Sequence, residues 1–209
     1  TIKKFEPDGI IDVTWVNPTA QDFIDVDIIA AAIIYRTKLV ICMHVNNETG
    51  MINDIVGIGS LCKEKMIMLH VDAAQSYGKL KIDVRCGITS LSASGHKLYG
   101  PKGVGILYVA NKPIRVGLKP VYYGGGNQKA YRSGTVPIEL CCGFYTATKI
   151  ASVNMQSDEK NIKSMQLFIH LKIMKNIHFA KLNGTIDSNR MYNNLNYSFY
   201  GVEGESVIA

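Results

Sequence analysis

The chain has no Cys-x-x-Cys pair, and its five cysteines (Cys42, Cys62, Cys86, Cys141 and Cys142) make an odd set. That usage argues against a zinc ribbon or a disulfide scaffold and fits a reducing compartment. No uncharged apolar run approaches the about 18 residues that a membrane span needs. No period of about 20 to 50 residues repeats, which excludes solenoids and propellers. Proline is scarce at 6 residues and glycine ordinary at 19, so a collagen-like or low-complexity chain is excluded. There is also no concentrated basic arm: 23 basic and 17 acidic residues leave a net charge of +6 spread along the length, which speaks against a nucleic-acid tail. What is present is a chain of 209 residues, 47% hydrophobic and 19% charged, enough for one sizeable core or two modest ones.

The first 110 residues alternate short apolar runs with helix-like stretches, the pattern of βαβ units and a mostly parallel sheet. Strands are expected at 10–16, 39–44, 66–71, 89–93 and 105–109, and helices at 25–35 and 53–65. Asn53 is expected to cap the second helix, with Ile55, Ile58, Leu61 and Cys62 lining one face. The pattern turns helical and more charged over 136–178, and 195–199 reads as a strand. A composition shift at 152–163 suggests the exit from a first domain. The chain begins at Thr1 without methionine and stops at Ala209 just after a helical pattern has begun, so an internal piece of a larger protein is expected.

Ligands of open α/β sheets bind beyond the carboxyl ends of the strands. Four segments fall there: His44-Val45-Asn46-Asn47-Glu48-Thr49-Gly50, His70-Val71-Asp72-Ala73-Ala74-Gln75, Ser92-Ala93-Ser94-Gly95-His96-Lys97, and Gly124-Gly125-Gly126 leading to Arg132-Ser133-Gly134-Thr135. Asp72 ends an apolar run, so its carboxylate is expected to be deeply placed and to need a cationic or hydrogen-bonding partner. A protonated ring nitrogen would serve. Lys97 ends another strand, where its amine could form a Schiff base with an aldehyde. These are two of the groups a pyridoxal phosphate enzyme requires. Ser94, His96 and the Ser133-Gly134-Thr135 turn offer donors for the phosphate. Each feature also has an ordinary structural use: Asp72 as a turn former, Lys97 as a solvated amine, His96 as a surface histidine, Gln75 as a capping amide. The stretch 95–102 is a near miss to a P-loop, with Pro-Lys where Lys-Ser or Lys-Thr should stand. Three Asn-x-Ser/Thr matches, beginning at Asn47, Asn183 and Asn196, are set aside as chance.

In this order the segments resemble the pyridoxal-phosphate-dependent cysteine desulfurases of the iron-sulfur assembly type, within the class V aminotransferase family. The resemblance rests on 44–50, on 70–79 (His70-Val71-Asp72 through Gly78-Lys79), on Ser94-Gly95-His96-Lys97-Leu98-Tyr99-Gly100-Pro101-Lys102-Gly103, on 132–135 and on Val202-Glu203-Gly204-Glu205-Ser206. It implies an α/β fold of the class V aminotransferase type (pyridoxal-phosphate-dependent transferase type I). That fold is a mostly parallel sheet flanked by helices, followed here by the start of a smaller α+β domain. Residues 1–150 would then be part of the large cofactor-binding domain, and 151–209 a linker helix and the first elements of a small C-terminal domain. It implies that Lys97 holds the cofactor pyridoxal 5'-phosphate covalently and that Asp72 pairs with its ring nitrogen. Gln75 would bond the ring hydroxyl, and Asn47 would lie near that oxygen and the substrate carboxylate. Ser94 and His96 would bind the phosphate, with Thr135 reaching the phosphate of the neighbouring subunit in a homodimer. The reaction implied is conversion of L-cysteine to L-alanine and an enzyme persulfide, feeding an iron-sulfur scaffold protein, tRNA thiolation and other sulfur acceptors. Neither membrane nor direct nucleic-acid contact is implied, and the setting would be a bacterial cytoplasm or the mitochondrial matrix.

The departures are as informative. The family's phosphate-binding Thr and ring-stacking His come from an upstream segment, and its persulfide Cys and substrate-binding Arg from a downstream one; none is in this chain. The fragment alone is therefore expected to be inactive. Residues 127–131 also depart from the usual run after the three glycines. Cys42, Cys62, Cys141 and Cys142 are read as buried structural residues, and Cys86, in a loop, as the one candidate reactive thiol. Another class V enzyme, such as a selenocysteine lyase or an aminotransferase, would share Asp72 and Lys97. A non-catalytic relative kept as a binding module would be free to lose Lys97.

Overall fold

Four five-residue strands form the central sheet in the computed structural model, which describes residues 2–112, 114, 116–128 and 131–208. The strands are β1 (Leu39–Met43), β2 (Met68–Asp72), β3 (Ser90–Ser94) and β4 (Gly105–Val109), side by side in that order. β1, β2 and β3 are parallel and β4 returns antiparallel to β3. The sheet is thus mostly parallel, with helices against it.

Period-two alternation divides the sheet into two chemically different faces. On one, Leu69 and Val71 of β2 and Leu91 and Ala93 of β3 join Cys42 of β1 in the main core. Helix α3 (Ile55–Glu64) closes that core with Ile55, Ile58 and Cys62, while Leu61 packs at its edge. On the other face stand Met43, His70, Asp72, Ser90 and Ser92, since Met43, Asp72 and Ser92 share one register row and His70 and Ser90 another. Strand and helix spacing therefore place polar chemistry opposite the oil.

Two expectations fail here. Residues 10–16 form no strand: Ile10 and Trp15 are exposed, with Lys3 over the Trp15 ring at 5.4 Å and Arg36 paired to Asp12 at 3.4 Å. β-propensity without a partner strand leaves an extended arm. Asn53 is not the cap of α3; Asp54 is, accepting from the Gly57 amide at 2.8 Å. The Asn53 amide group instead accepts from the Ile24 amide at 2.6 Å and donates to the Met43 carbonyl at 2.8 Å, tying the arm to the end of β1. Helix α2 (Val26–Ala32), capped by Asp25, lies within the expected 25–35. A four-residue helix, α1 (Ile2–Phe5), precedes it.

Helix α4 (Ile138–Asn176) runs 39 residues, about 60 Å, and passes unbroken through 152–163. Its first half packs on the loops after β2 and β3 through small residues. A Cβ on Gly100 would lie 2.9 Å from the Gly95 carbonyl oxygen and 3.3 Å from Ala147, so only glycine allows this approach. Its second half carries a two-stranded antiparallel sheet, β5 (Ala180–Leu182) and β6 (Tyr197–Phe199), followed by the short α5 (Gly204–Ile208). There His170 Nδ1 lies 2.7 Å from the Tyr197 hydroxyl. β6 falls inside the expected 195–199, and β5 was not foreseen.

Candidate active site

The carboxyl ends of β1, β2 and β3 lie side by side, so the loops that leave them open toward one region. The His44 amide donates to the Asp72 carbonyl at 2.9 Å, and the Ala73 amide donates to the Ser92 carbonyl at 2.8 Å. These bonds set Asp72 between the ends of its two neighbours. The Asp72 side chain is half-buried, not deeply buried as expected, because it stands on the open face where the strand gives way to a turn. Its Oδ1 accepts from the Ala74 amide at 2.9 Å, while Oδ2 has no hydrogen bond among the described residues. The turn-forming use and a free carboxylate oxygen coexist in one residue.

Beneath Asp72, His70 is held by two serines of β3, with Nδ1 2.9 Å from Ser90 Oγ and Nε2 3.4 Å from Ser92 Oγ. Burial lowers its pKa, and the Asp72 charge works in the opposite direction. The hydrophobic pattern hid this histidine, which occupies a strand position of a polar face. After β2 the chain turns tightly over 73–80, and Gln75 is half-buried at its entry. Lys79 Nζ donates to the Gln75 carbonyl at 3.3 Å. Its pKa is lowered by burial first and by the charge of Lys97 second, which places the two ammonium groups within reach of each other's field.

Lys97 stands on a single 3-10 turn, Gly95–Leu98, that leaves β3 directly. Buried Leu98 pins the turn to the protein, and Tyr99 in the left-handed region (φ 63°) ends it, with the Gly100 amide donating to the Gly95 carbonyl at 3.0 Å. This local folding pushes His96 and Lys97 outward, and both are exposed. Ser94 sits at the start of the turn and its hydroxyl caps nothing, leaving it available to a ligand. Asn47 is exposed in the loop after β1, its amide donating to Glu48 Oε1 at 2.6 Å. Thr135 is exposed in the irregular segment ahead of α4 and makes no hydrogen bond among the described residues. Of the departing segment 127–131, Lys129 and Ala130 lie outside the described residues.

His44 is buried with Nδ1 unpartnered, and burial alone lowers its pKa to about 4. The thiols of Cys42 and Cys62 are pushed up to about 11 by burial. Cys86 lies in a 3-10 turn (Val84–Cys86), not a loop, and its half-buried thiol is also raised by burial, so it is a poor nucleophile. Cys142 is exposed on α4 and Cys141 half-exposed, contrary to the buried reading, because that helix buries only one narrow stripe.

A carboxylate oxygen, an amine on a rigid turn and a serine hydroxyl, none of them hydrogen-bonded among the described residues, stand at adjoining strand ends and fit a cofactor carrying a ring nitrogen, an aldehyde and a phosphate. The model of the family Aminotransferase class-V matches residues 2–209. Cysteine desulfurase IscS of Rickettsia bellii is 43% identical over 207 residues, covering 99% of this chain and 50% of the relative. Cysteine desulfurase IscS of Plasmodium falciparum is 41% identical over 198 residues, covering 94% of this chain and 36% of the relative. Among solved structures, DndA from Streptomyces lividans superposes with a TM-score of 0.88 at 31% identity, covering 99% of this chain and 58% of that one. The chain thus spans about half the length, or less, of the relatives it matches. No helix among the described residues is long and apolar enough to cross a membrane. On a family model matched from residue 2 to residue 209, the chain belongs to the class V aminotransferases.

Proposed function

We propose that this chain forms the cofactor-bearing core of a cysteine desulfurase that uses pyridoxal 5'-phosphate to convert L-cysteine to L-alanine and pass the sulfur to a cysteine as a persulfide. The observation that carries the reading is that β2, which ends at Asp72, and β3, which leads directly into the turn bearing Lys97, are parallel neighbours, with Asp72 Oδ2 and Lys97 Nζ making no hydrogen bond among the described residues. When bound, the cofactor supplies an electron sink for the substrate's α-carbon.

In this reading Lys97 Nζ holds the aldehyde carbon, and the 3-10 turn that bears it fixes its direction. Asp72 Oδ2 keeps the ring nitrogen protonated. Gln75 and Asn47 bond the ring oxygen, and Ser94 Oγ and His96 hold the phosphate. Lys79 adds positive charge beside Lys97, which favours binding of an anionic cofactor. Thr135 belongs to the site of a second subunit in a homodimer. None of the five cysteines is the sulfur acceptor, because the thiols of Cys42, Cys62 and Cys86 are suppressed by burial and Cys141 and Cys142 ride on α4. Residues 1–150 form the larger cofactor domain and 151–209 begin the smaller one. Iron-sulfur scaffold proteins and other sulfur acceptors are the partners, in a reducing bacterial cytoplasm or mitochondrial matrix.

The test is to add pyridoxal phosphate to the chain, reduce with borohydride, digest and map the adduct by mass spectrometry. The adduct is expected on the Lys97 peptide, and Lys97→Ala should lose it. An adduct found only on other lysines, Lys79 in particular, overturns the assignment. Asp72→Asn in the intact enzyme should keep the fold and lower turnover by about two orders of magnitude, roughly 3 kcal/mol of transition-state stabilisation.

A further inference from the structure

The loop that carries Asn47 is gripped from far along the chain. Asn194 Nδ2 and Asn196 Nδ2 both donate to the Glu48 carbonyl, each at 3.0 Å, across sequence separations of 146 and 148 residues. Neither amide is free to turn. Arg190 Nη1 donates to Asn194 Oδ1 at 2.8 Å and Asn183 Nδ2 donates to Asn196 Oδ1 at 2.7 Å, and because the Glu48 carbonyl can only accept, both side-chain nitrogens must face it. Arg190 is itself buried with no carboxylate in contact among the described residues; its Nε and Nη2 donate to the Thr185 and Asn183 carbonyls. Gln166 Nε2 of α4 donates to the Met191 and Asn194 carbonyls at 2.9 and 2.7 Å, anchoring the gripping segment.

The backbones also interlock. The Met191 amide donates to the Gly50 carbonyl at 2.8 Å and the Ile52 amide to the Asn189 carbonyl at 2.7 Å. Gly50 has φ +71°, and a Cβ there would fall 2.4 Å from Asn194 Cγ. From the other side, Asn46 Oδ1 accepts from the Glu48 and Thr49 amides at 2.8 and 3.0 Å. Glu48 is exposed, so water would satisfy its carbonyl. Two fixed amides on one solvent-accessible oxygen therefore serve geometry more than satisfaction.

We propose that Asn194 and Asn196, oriented by Arg190 and Asn183, are positioning residues that hold the 46–50 loop so that Asn47 addresses the ring oxygen of the cofactor. The proposal rests on the functional reading above for what Asn47 touches. It makes the segment after α4 part of the site without any atom of that segment touching the ligand.

Two readouts test it on the full chain with added pyridoxal phosphate. Amide hydrogen exchange in Asn194→Ala/Asn196→Ala should rise about tenfold at residues 46–50 while the β1, β2 and β3 amides stay protected. The pH midpoint of the bound cofactor's visible absorption band should move in the direction of Asn47→Ala, by about half a pH unit or more. Combining all three substitutions should give no further shift, since the pair acts through Asn47. A merely structural role would lower the melting temperature and leave that midpoint at its wild-type value. Unchanged exchange at 46–50, or an unmoved midpoint beside a shifted Asn47→Ala, overturns the proposal. If the double variant loses its helical circular dichroism, Asn196→Ser carries the same two measurements. Equal cofactor uptake by wild type and Lys97→Ala would overturn the functional reading instead, and the exchange result alone would then decide the clasp.

Discussion

The sheet end and the helix end of this molecule are held by different forces. Around β1, β2, β3 and α3, cohesion is apolar: Ile58, Leu69 and Val71 are wholly buried in one continuous cluster. Around α4, β5 and β6 a smaller cluster of Val45, Met191 and Tyr192, with Ile52, Leu80 and Ile162 packed against it, lies under the contact, and long-range polar bonds from Gln166, Arg190, Asn194 and Asn196 add to the holding. Apolar packing fixes strand ends rigidly but carries little directional information. Hydrogen bonds are directional and individually weak, which suits an element that must set the angle of one loop. The candidate site draws on both, with Asp72 and Lys97 set by the sheet and Asn47 by the clasp.

The sharpest way to break this comparison is in the core. Leu69→Ala removes a wholly buried side chain between β2 and α3 and should cost about 2 to 5 kcal/mol, read as a lower urea midpoint at unchanged slope. A loss below about 1 kcal/mol would mean that the sheet end is not the tightly packed half.

The buried imidazole of His44 makes the sheet end sensitive to acid. Burial lowers its pKa from 6.5 to about 4 in the folded chain, so between those values the unfolded chain binds more protons. Its stabilising contribution is complete above pH 6.5 and is lost as pH falls toward 4, by roughly 3 kcal/mol. His70, lowered for the same first reason, acts with the same sign. Urea midpoints measured from pH 7 to pH 4 should therefore fall less steeply in His44→Asn than in wild type. Parallel curves would show that His44 is protonated without cost and is not sealed in the core.

What could be read in advance follows this same division. The strands are legible because short stretches with apolar residues at least at every second position, separated by helix-like stretches, leave few alternatives, and strand ends in turn announce ligand residues such as Asp72 and Lys97. Residues 10–16 carried an equally apolar pattern and failed, because pairing depends on a partner strand that a local pattern cannot reveal. β5 has three residues, too few to show a period. Arg190 and Asn194 sit in a polar stretch without a period, and Asn196 falls in the expected strand 195–199, where the Asn196-Tyr197-Ser198 match reads as a chance sequon. Their meaning lies in a carbonyl 146 and 148 residues away. His44 and His70 were visible as letters in motifs, but their burial and neutrality arise only from packing.

At the helix end the backbone approach at Gly50 can be tested without touching any donor. Gly50→Ala adds a methyl group where φ is +71° and Asn194 Cγ would be 2.4 Å away, so the loop or the clasp must shift. A destabilisation of about 2 kcal/mol is expected. It should be accompanied by faster exchange at 46–50, linking the strain to the contact. A neutral Gly50→Ala would mean that loop and clasp slide freely, and the polar half of the comparison would lose its directional role.

The smallest effect is expected on the outer face of α4. Leu167, Phe168 and Leu171 are exposed there, and Phe168, at 61% exposure, carries the ammonium of Lys172 5.5 Å above its ring. A cation–π contact in water is worth about 0.5 to 1 kcal/mol, and a serine in its place gives up little buried area. Phe168→Ser should therefore move the urea midpoint by no more than about 0.5 kcal/mol, in contrast to the several kcal/mol at Leu69. It should also reduce self-association in sedimentation, because an apolar patch of this kind is a contact surface whenever it is left open. A loss above about 1.5 kcal/mol would show that the face is packed in solution. The helix end would then have an apolar core of its own, and the clasp would no longer be what holds it.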